Sequence, residues 1–213
     1  MKKKEKYDKV VEWFEQTMPD PKTELKYRNP YELLVAVILS AQCTDARVNI
    51  VTPPLFEAFP DPYSLAAASI EEITEYIKSV TFPNNKAKSL KGMATMLVEK
   101  FNGEVPGNID ELTTIPGVGR KTANVMLAVI FGKAAMAVDT HVFRVSERIG
   151  LTKGSKNPVQ TEKTLVENIP ESKLSTAHHW LILHGRYVCK ARRPLCLECG
   201  LTEICDFYRK SSK

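Results

Sequence analysis

The segment IPGVGRKT at residues 115–122 decides the fold, because it places a Gly-x-Gly turn between two helical patterns. A short helix is predicted over about residues 109–114, before the turn. Gly117 and Gly119 let the backbone turn tightly and keep side chains out of the way. The next helix begins at about residue 119, with its unsatisfied N–H groups and positive dipole end facing outward. Such a helix start can bind an anion, and we expect that anion to be a DNA phosphate.

Two other phosphate-binding motifs fit this segment poorly. A P-loop needs Gly-Lys-Ser/Thr in direct succession after a strand, whereas Arg120 separates Gly119 from Lys121. The dinucleotide fingerprint needs a further glycine where the chain has Thr122. A plain helix–helix connection containing glycine remains the alternative to a DNA-binding hairpin.

The apolar residues recur at helical spacing along most of the chain. Helices are predicted on the patterns Tyr7–Val10–Val11–Phe14–Met18, Leu33–Ala41, Val125–Met126–Val129–Ile130, Val142–Val145–Ile149 and Ala177–Val188. Ser69 with Glu72, and Asn108 with Glu111, have the spacing of helix N-terminal caps. No segment alternates convincingly with a period of two, so the predicted fold class is all-α.

Composition limits the classes of function. The chain has 213 residues, is 43% hydrophobic and 26% charged, and carries a net charge of +5, which permits a nucleic-acid partner. Five lysines stand in the first ten residues with no apolar run behind them, so no signal peptide is expected. The longest apolar run, residues 33–41, is too short to span a bilayer. A reducing cytosol is therefore the expected compartment.

Four of the five cysteines are clustered near the end of the chain. Cys189, Cys196, Cys199 and Cys205 form a C-x6-C-x2-C-x5-C pattern, which in a reducing compartment indicates a metal site. Structural zinc usually takes two short cysteine pairs, and this array contains one. A single compact segment suits an iron–sulfur cluster, and zinc remains the alternative.

Several segments together resemble the endonuclease III family, the helix-hairpin-helix DNA glycosylases with a C-terminal iron–sulfur cluster. They are LLVAVILSAQCTD (33–45), NNKAKSL (84–90), LTTIPGVGRKTANVML (112–127), AVDTHVFRVSERIGL (137–151) and HHWLILHGRYVC (178–189), followed by the cysteine array. The resemblance implies a bifunctional glycosylase and abasic-site lyase of base excision repair. Such an enzyme removes oxidised pyrimidines and cuts the abasic strand by β-elimination through a lysine Schiff base.

The same resemblance implies two helical lobes with a DNA-binding cleft. Residues 23–134 would form a six-helix lobe that carries the hairpin, and residues 1–22 with 135–213 would form a discontinuous lobe that carries the cluster. The implied partner is double-stranded DNA with damaged bases or abasic sites. We expect a monomer that works in the cytoplasm, associated with the nucleoid.

Lys121 and Asp139 are the catalytic residues that the resemblance implies. An amine can displace the base at C1′ and form an imine, which a hydroxyl cannot do. We expect burial, Arg120 and the helix N-terminus to favour the neutral amine. Asp139 would support the attack and move protons, although an aspartate here also suits a helix N-cap. An exposed, inert lysine is the plain alternative for Lys121.

The resemblance also implies DNA contacts on several surfaces. Gln42 would fill the space that the extruded nucleotide leaves, and Phe82 would act as an apolar wedge or else be a core residue. The segment Thr81-Phe82-Pro83 departs from the family pattern. Backbone and phosphate contacts are expected at Gly117, Gly119, Arg120, Lys190, Arg192 and Arg193. The four clustered cysteines would hold a [4Fe–4S] cluster.

Two other functions remain open from the sequence. A monofunctional mismatch glycosylase, specific for adenine or thymine, shares the superfamily, but the adenine-removing branch lacks a lysine at position 121. A non-catalytic DNA-binding module is the second, because hairpin motifs serve that role widely.

Overall fold

A computed structural model describes residues 1–211, and the regular structure of this range is helical. The α-helices, in chain order, are α1 (Lys3–Thr17), α2 (Pro30–Leu39), α3 (Asp45–Ala58), α4 (Pro62–Ala67), α5 (Ile70–Ile77), α6 (Pro83–Phe101), α7 (Ile109–Thr114), α8 (Arg120–Val129), α9 (Thr140–Ile149), α10 (Pro158–Asn168), α11 (Leu174–Tyr187) and α12 (Asp206–Ser211). Short 3-10 helices lie at Glu171–Lys173 and Cys196–Glu198. The all-α prediction is confirmed, since residues 1–211 contain no strand. No helix in that range is long and apolar enough to cross a membrane.

The chain divides into two compact units. Thr23–Phe131 forms one, called here the hairpin unit, and Met1–Lys22 joins the chain from Gly132 onward in the other, called the cysteine unit. The sequence analysis predicts this boundary at residue 134 instead of 131. It also predicts six helices for the hairpin unit, whereas α2 to α8 make seven within residues 23–131. Two of these, α4 and α7, are only six residues long.

The hairpin unit is built around α2. The Asn29 side chain accepts a hydrogen bond from the Glu32 amide, and Pro30 occupies the first turn, so the helix start is well defined. Every residue from Leu33 to Leu39 is buried. Helices α3, α6 and α8 pack against α2. A helix that is apolar on all sides requires such surroundings, as the sequence analysis predicts.

The cysteine unit joins both ends of the chain in one core. The Phe14 ring of α1 stacks on Trp180 of α11 with centroids 5.6 Å apart. The Trp180 indole N–H donates to the Met18 carbonyl over 2.7 Å, and the Tyr7 hydroxyl donates to the Leu151 carbonyl over 2.9 Å. The ring stacking and the two hydrogen bonds together fix α1 against α11 and against the segment after α9.

Candidate DNA-lesion site

The helical hairpin consists of α7, a tight turn and α8. The Asn108 side chain caps α7 by accepting the Glu111 amide over 2.9 Å. In the turn, Gly117 has a φ of +80°, and a Cβ there would lie 2.8 Å from Cβ of Ser89. Glycine is therefore required at position 117 for both its backbone angle and the close approach of α6.

Gly119 has a different role from Gly117. Its φ is −87°, and a Cβ would meet nothing within 4 Å. It is the N-cap residue of α8 and supplies no side-chain hydrogen bond to the helix. The start of α8 therefore keeps an open space in front of its amide groups, where an anion can approach.

Arg120 and Lys121 form the first turn of α8, and both side chains are exposed. The exposure of Lys121 differs from the sequence analysis, which expects burial to favour its neutral amine. Position explains the difference, because the first turn of α8 projects away from the core that Ala123 and Met126 enter.

Asp139 is the N-cap residue of α9 in the cysteine unit. Its Oδ1 accepts hydrogen bonds from the amides of His141 and Val142, each 2.8 Å long. Both bonds use one oxygen, which leaves Oδ2 for other contacts. The side chain is half-buried. The segment leading to it is held by Ala137, whose carbonyl lies 2.8 Å from the buried ring nitrogen Nδ1 of His178. Lys121 and Asp139 therefore stand on separate units, each fixed within its own.

Gln42 and Phe82 occupy two exposed turns of the hairpin unit. Both have left-handed backbone conformations, with φ of 54° and 53°. Such angles cost about 1–3 kcal/mol for residues other than glycine and persist only where surrounding contacts enforce them. Phe82 is 60% exposed, so it is not a core residue. Both side chains thus lie outside the core, at positions where the backbone has a left-handed conformation.

The cysteine array is held in place by two arginines of α9. Arg148 donates to the carbonyls of Lys190 and Ala191 over 2.7 and 3.0 Å. Its guanidinium also lies over the Phe207 ring at 4.6 Å. Arg144 donates to the Gly185 carbonyl at 2.8 Å. A planar guanidinium suits such paired carbonyl contacts, so α9 fixes the start of the loop that separates the cysteines.

The four clustered cysteines line one small cavity, together with His184 and apolar side chains. Burial raises the pKa of the Cys199 thiol, and the nearby Cys205, Cys189 and Cys196 raise it further. The Arg148 guanidinium lies 3.6 Å from Cys189 Sγ, and His184 Nε2 lies 3.6 Å from Cys199 Sγ. Four thiolates this close repel one another unless a cationic centre joins them. The donor set therefore fits a metal group.

Zinc and an iron–sulfur cluster require different arrangements of their donors. Within residues 1–211, no three His, Cys, Asp or Glu side chains converge closely enough to hold one metal ion. Zinc draws four ligands to within about 2.3 Å of a single point. In an iron–sulfur cluster each thiolate binds a different iron, so the sulfurs stand further apart around a larger group.

The predicted phosphate contacts of the cysteine array are all exposed. Lys190, Arg192 and Arg193 lie between Cys189 and Cys196 and project into solvent. Arg193 has a φ of 51°. Since Arg148 fixes the backbone at Lys190 and Ala191, these cations stand on a held loop.

Sequence reasoning missed three residues that shape these sites. Arg148 holds the cysteine loop, and Thr81 and Lys86 contact the turns of Gln42 and Phe82. The only sequence signal for Arg148 was its place on the polar side of α9, four residues after Arg144. Thr81 and Lys86 gave no signal, because their partners lie about 40 residues away in the chain.

The fold and these sites define a class of DNA repair protein. Residues 35–171 match the family described as "HhH-GPD superfamily base excision DNA repair protein". This range contains the hairpin, Lys121 and Asp139. The chain therefore belongs to the helix-hairpin-helix superfamily of base excision repair proteins.

Within that superfamily the chain belongs to the endonuclease III family. Endonuclease III of Rickettsia prowazekii (strain Madrid E) is 49% identical, over 94% of this chain and 94% of its own. Endonuclease III of Bacillus subtilis (strain 168) is 47% identical, over 97% of this chain and 92% of its own. The solved structure of a trapped endonuclease III–DNA covalent intermediate, an estranged-adenine complex, matches with a TM-score of 0.95. That match has 45% identity and covers 100% of both chains.

Proposed function

We propose that this protein is a DNA glycosylase and abasic-site lyase that removes oxidised pyrimidines through a lysine Schiff base. The observation that carries the proposal is the 45% identity, over the full length, to an endonuclease III trapped covalently on DNA. A covalent intermediate requires a nucleophile, and Lys121 presents an exposed amine beside the open start of α8.

The proposed reaction begins with the neutral amine of Lys121. Its nitrogen bonds to C1′ of the deoxyribose while the glycosidic bond breaks, and the base leaves with the bonding electrons and takes up a proton. The adduct opens to an imine between Lys121 and C1′. Loss of a proton from C2′ then expels the 3′ phosphate by β-elimination, and water releases the lysine. Bound DNA would surround the exposed Lys121 and exclude water from the amine during the attack.

Asp139 supports this reaction by charge. Its first proposed task is to stabilise a cationic sugar with the carboxylate at the start of α9. Oδ1 is engaged by the cap, and Oδ2 would face the sugar. Proton transfer is its second proposed task.

Gln42 and Phe82 would hold the lesion open. A glycosylase must take the target nucleotide out of the stack, which leaves a gap and an unpaired base. The Gln42 amide can donate to and accept from that base, and the exposed Phe82 ring can wedge between base steps. Gly117, Gly119 and Arg120 would contact a phosphate at the hairpin.

Cys189, Cys196, Cys199 and Cys205 would hold a [4Fe–4S] cluster. The four thiols line one cavity, and the array contains only one of the two short cysteine pairs that structural zinc usually takes, which supports this over a single zinc ion. When bound, the cluster supplies a rigid centre for the loop, since cleavage of a glycosidic bond needs no electron. Lys190, Arg192 and Arg193 would then meet phosphates from that held loop.

The expected place of work is the cytoplasm at the nucleoid, where the substrate DNA lies. One chain carries every group that the proposal uses, so a monomer is sufficient.

The deciding experiment follows strand cleavage of duplexes that contain thymine glycol or an abasic site, with borohydride added to trap the imine. Wild-type protein should cut both and give a covalent adduct. Lys121→Gln should lose the adduct and the cleavage, while Lys100→Gln, an exposed lysine of α6, should keep both. A surviving adduct in Lys121→Gln would remove Lys121 from the reaction. Base release without cleavage by the wild type would favour a monofunctional glycosylase, and inactivity on both DNAs would favour a binding module.

A further inference from the structure

The two exposed turns of the hairpin unit are joined by a buried lysine. Lys86 in the first turn of α6 is only 6% exposed. Its ammonium donates to the Leu39 carbonyl at the end of α2 over 2.7 Å, and to the Thr81 hydroxyl over 3.2 Å. A cation at that end of α2 is favoured by the helix dipole. The lysine thus links the helix before Gln42 to the turn before Phe82.

The Thr81 hydroxyl completes the connection. It donates to the Gln42 carbonyl over 2.7 Å while it accepts from Lys86. The Phe82 carbonyl accepts the Lys86 backbone amide over 3.1 Å, which is the first hydrogen bond of α6. The Thr81 hydroxyl ties the Gln42 carbonyl to the Lys86 side chain and to the residue directly before Phe82, which lies 40 residues after Gln42.

These contacts explain the two left-handed residues. Neither Gln42 nor Phe82 buries its side chain, so side-chain packing does not enforce φ of 54° and 53°. Their backbone carbonyls are engaged instead, that of Gln42 by the Thr81 hydroxyl and that of Phe82 by the first backbone hydrogen bond of α6. The protein without DNA therefore already holds both turns in a defined shape.

We propose that Thr81 and Lys86 are positioning residues that clip the Gln42 turn to the Phe82 turn, so that both side chains enter the duplex as a pre-arranged pair. This inference rests on the proposed insertion of Gln42 and Phe82. In physical terms, the two turns are already ordered when the protein folds. Ordering them therefore adds nothing to the free-energy barrier of base extraction.

The clip should affect the substrates unequally. A thymine glycol paired with adenine must be pulled from the stack, and the insertion of Gln42 and Phe82 compensates for that step. An abasic site has no stacked base to extract, so a poorly ordered pair of turns should slow its cleavage much less. A role limited to folding stability would instead change both rates together.

The test compares single-turnover rates on the two duplexes for three variants. Thr81→Val keeps the shape and removes the hydroxyl, Thr81→Ser keeps the hydroxyl, and Thr74→Val is the control. The Thr74 hydroxyl bonds only its own helix, at the Ile70 carbonyl. Removing one hydrogen bond should lower the thymine-glycol rate of Thr81→Val roughly fivefold and the abasic rate less than twofold. Thr81→Ser and Thr74→Val should match the wild type.

The outcomes separate this inference from the proposed function. If wild-type protein cuts neither DNA, the proposed function is wrong, and the clip is overturned with it. If the wild type cuts both DNAs and Thr81→Val matches it on both, the clip is wrong and the function stands. An equal loss on both DNAs would also overturn the clip, because it would show a general effect.

Lys86→Met provides a second measurement. Methionine fills the buried site without donating, so the bonds to the Leu39 carbonyl and the Thr81 hydroxyl are lost while the core stays filled. Amide hydrogen exchange should accelerate at Cys43, whose N–H bonds the Ser40 carbonyl in the Gln42 turn, and remain unchanged at Leu97 in the middle of α6. Unchanged exchange at Cys43 would contradict the clip independently of any activity.

Discussion

At the scale of the residue, Asp139 has an observed task as the N-cap of α9 and a proposed task in catalysis. Oδ1 accepts both cap amides of α9. Oδ2 makes neither cap bond, so it is the oxygen that the proposed support of a cationic sugar would use.

Replacing Asp139 with asparagine should separate the two tasks. Asparagine caps helices as well as aspartate does, so the free energy of unfolding should change by less than about 1 kcal/mol. The loss of charge should slow base excision roughly 100-fold. Single-turnover glycosylase rates and urea unfolding measure the two effects.

The control for that comparison is Asn157→Ala. Asn157 caps α10 in the same unit by accepting the Gln160 amide. Its loss should destabilise by about 1 kcal/mol and leave base excision intact. A near-normal rate in Asp139→Asn would leave Asp139 as a cap alone.

The sequence could predict Asp139 and Lys121 as candidates, because each lies in a short motif that also marks a helix start. It could not predict that Lys121 is exposed, since exposure depends on which neighbours the fold brings to the first turn of α8. It could not predict Thr81 and Lys86 either, because hydrogen bonds between distant residues leave no periodic pattern. The motifs identify chemistry, and tertiary contacts decide how each group is held.

At the scale of the element, the two glycines of the hairpin have different reasons to be glycine. Gly117 is required by its left-handed backbone and by the approach of Ser89. Gly119 is required by neither, since its backbone angle is ordinary and its Cβ would meet empty space. Glycine is a favoured N-cap residue, and the proposed approach of a phosphate to the start of α8 would be a second reason for glycine at 119.

Alanine substitutions should distinguish the two positions. Gly117→Ala should destabilise the protein by about 2 kcal/mol, through backbone strain and the contact with Ser89. Gly119→Ala should cost less than about 1 kcal/mol but weaken binding to abasic-site DNA several-fold, because the methyl group obstructs a phosphate. Urea unfolding and fluorescence anisotropy provide the two measurements. Undiminished affinity in Gly119→Ala would argue against a phosphate at the hairpin.

The loop between Cys189 and Cys196 should contribute through charge. Replacing Arg192 and Arg193 together with glutamine should reduce the slope of log affinity against log salt by roughly one to two. Lys2→Gln with Lys4→Gln removes the same charge from an exposed end of the chain and should leave the slope unchanged. An unchanged slope in the arginine variant would mean that this loop does not contact DNA phosphates.

Helix prediction succeeded where local rules act alone. The helix containing Phe14 ends at Thr17, before Pro19, and Ser69 with Glu72 forms the reciprocal cap of α5. Helix α3 is an exception to these local rules, because it continues through Pro53 and Pro54. Proline lacks an amide hydrogen and normally interrupts a helix. Here Val51, Leu55 and Phe56 are buried, and their packing outweighs the lost bonds.

At the scale of the whole molecule, the two units have separate cores. The core of the cysteine unit includes Tyr7, Phe14 and Trp180, and Cys189 and Cys199 pack against it. The core of the hairpin unit is centred on α2. Loss of the proposed cluster should therefore destabilise the cysteine unit more than the hairpin unit.

Cys199→Ser tests this expectation. Without one thiolate the cluster should be lost or weakened, as seen by iron content and by absorption in the visible range. Amide exchange should accelerate in α1 and α11 while α2 keeps its protection. Cys43→Ser in the hairpin unit should keep both the iron and the protection. Equal acceleration in α2 and α11 would show that the two cores unfold together.

The split of the cysteine unit across the chain has a consequence for synthesis. Once residue 131 has left the ribosome, all of the hairpin unit is available to fold, and Lys121 stands on its finished hairpin. The cysteine unit then has only its first 22 residues outside the ribosome, and Asp139 has not yet emerged. An unfinished chain is thus expected to bind DNA weakly and to leave it uncut. The order of translation would therefore prevent strand cleavage by an incompletely synthesised protein.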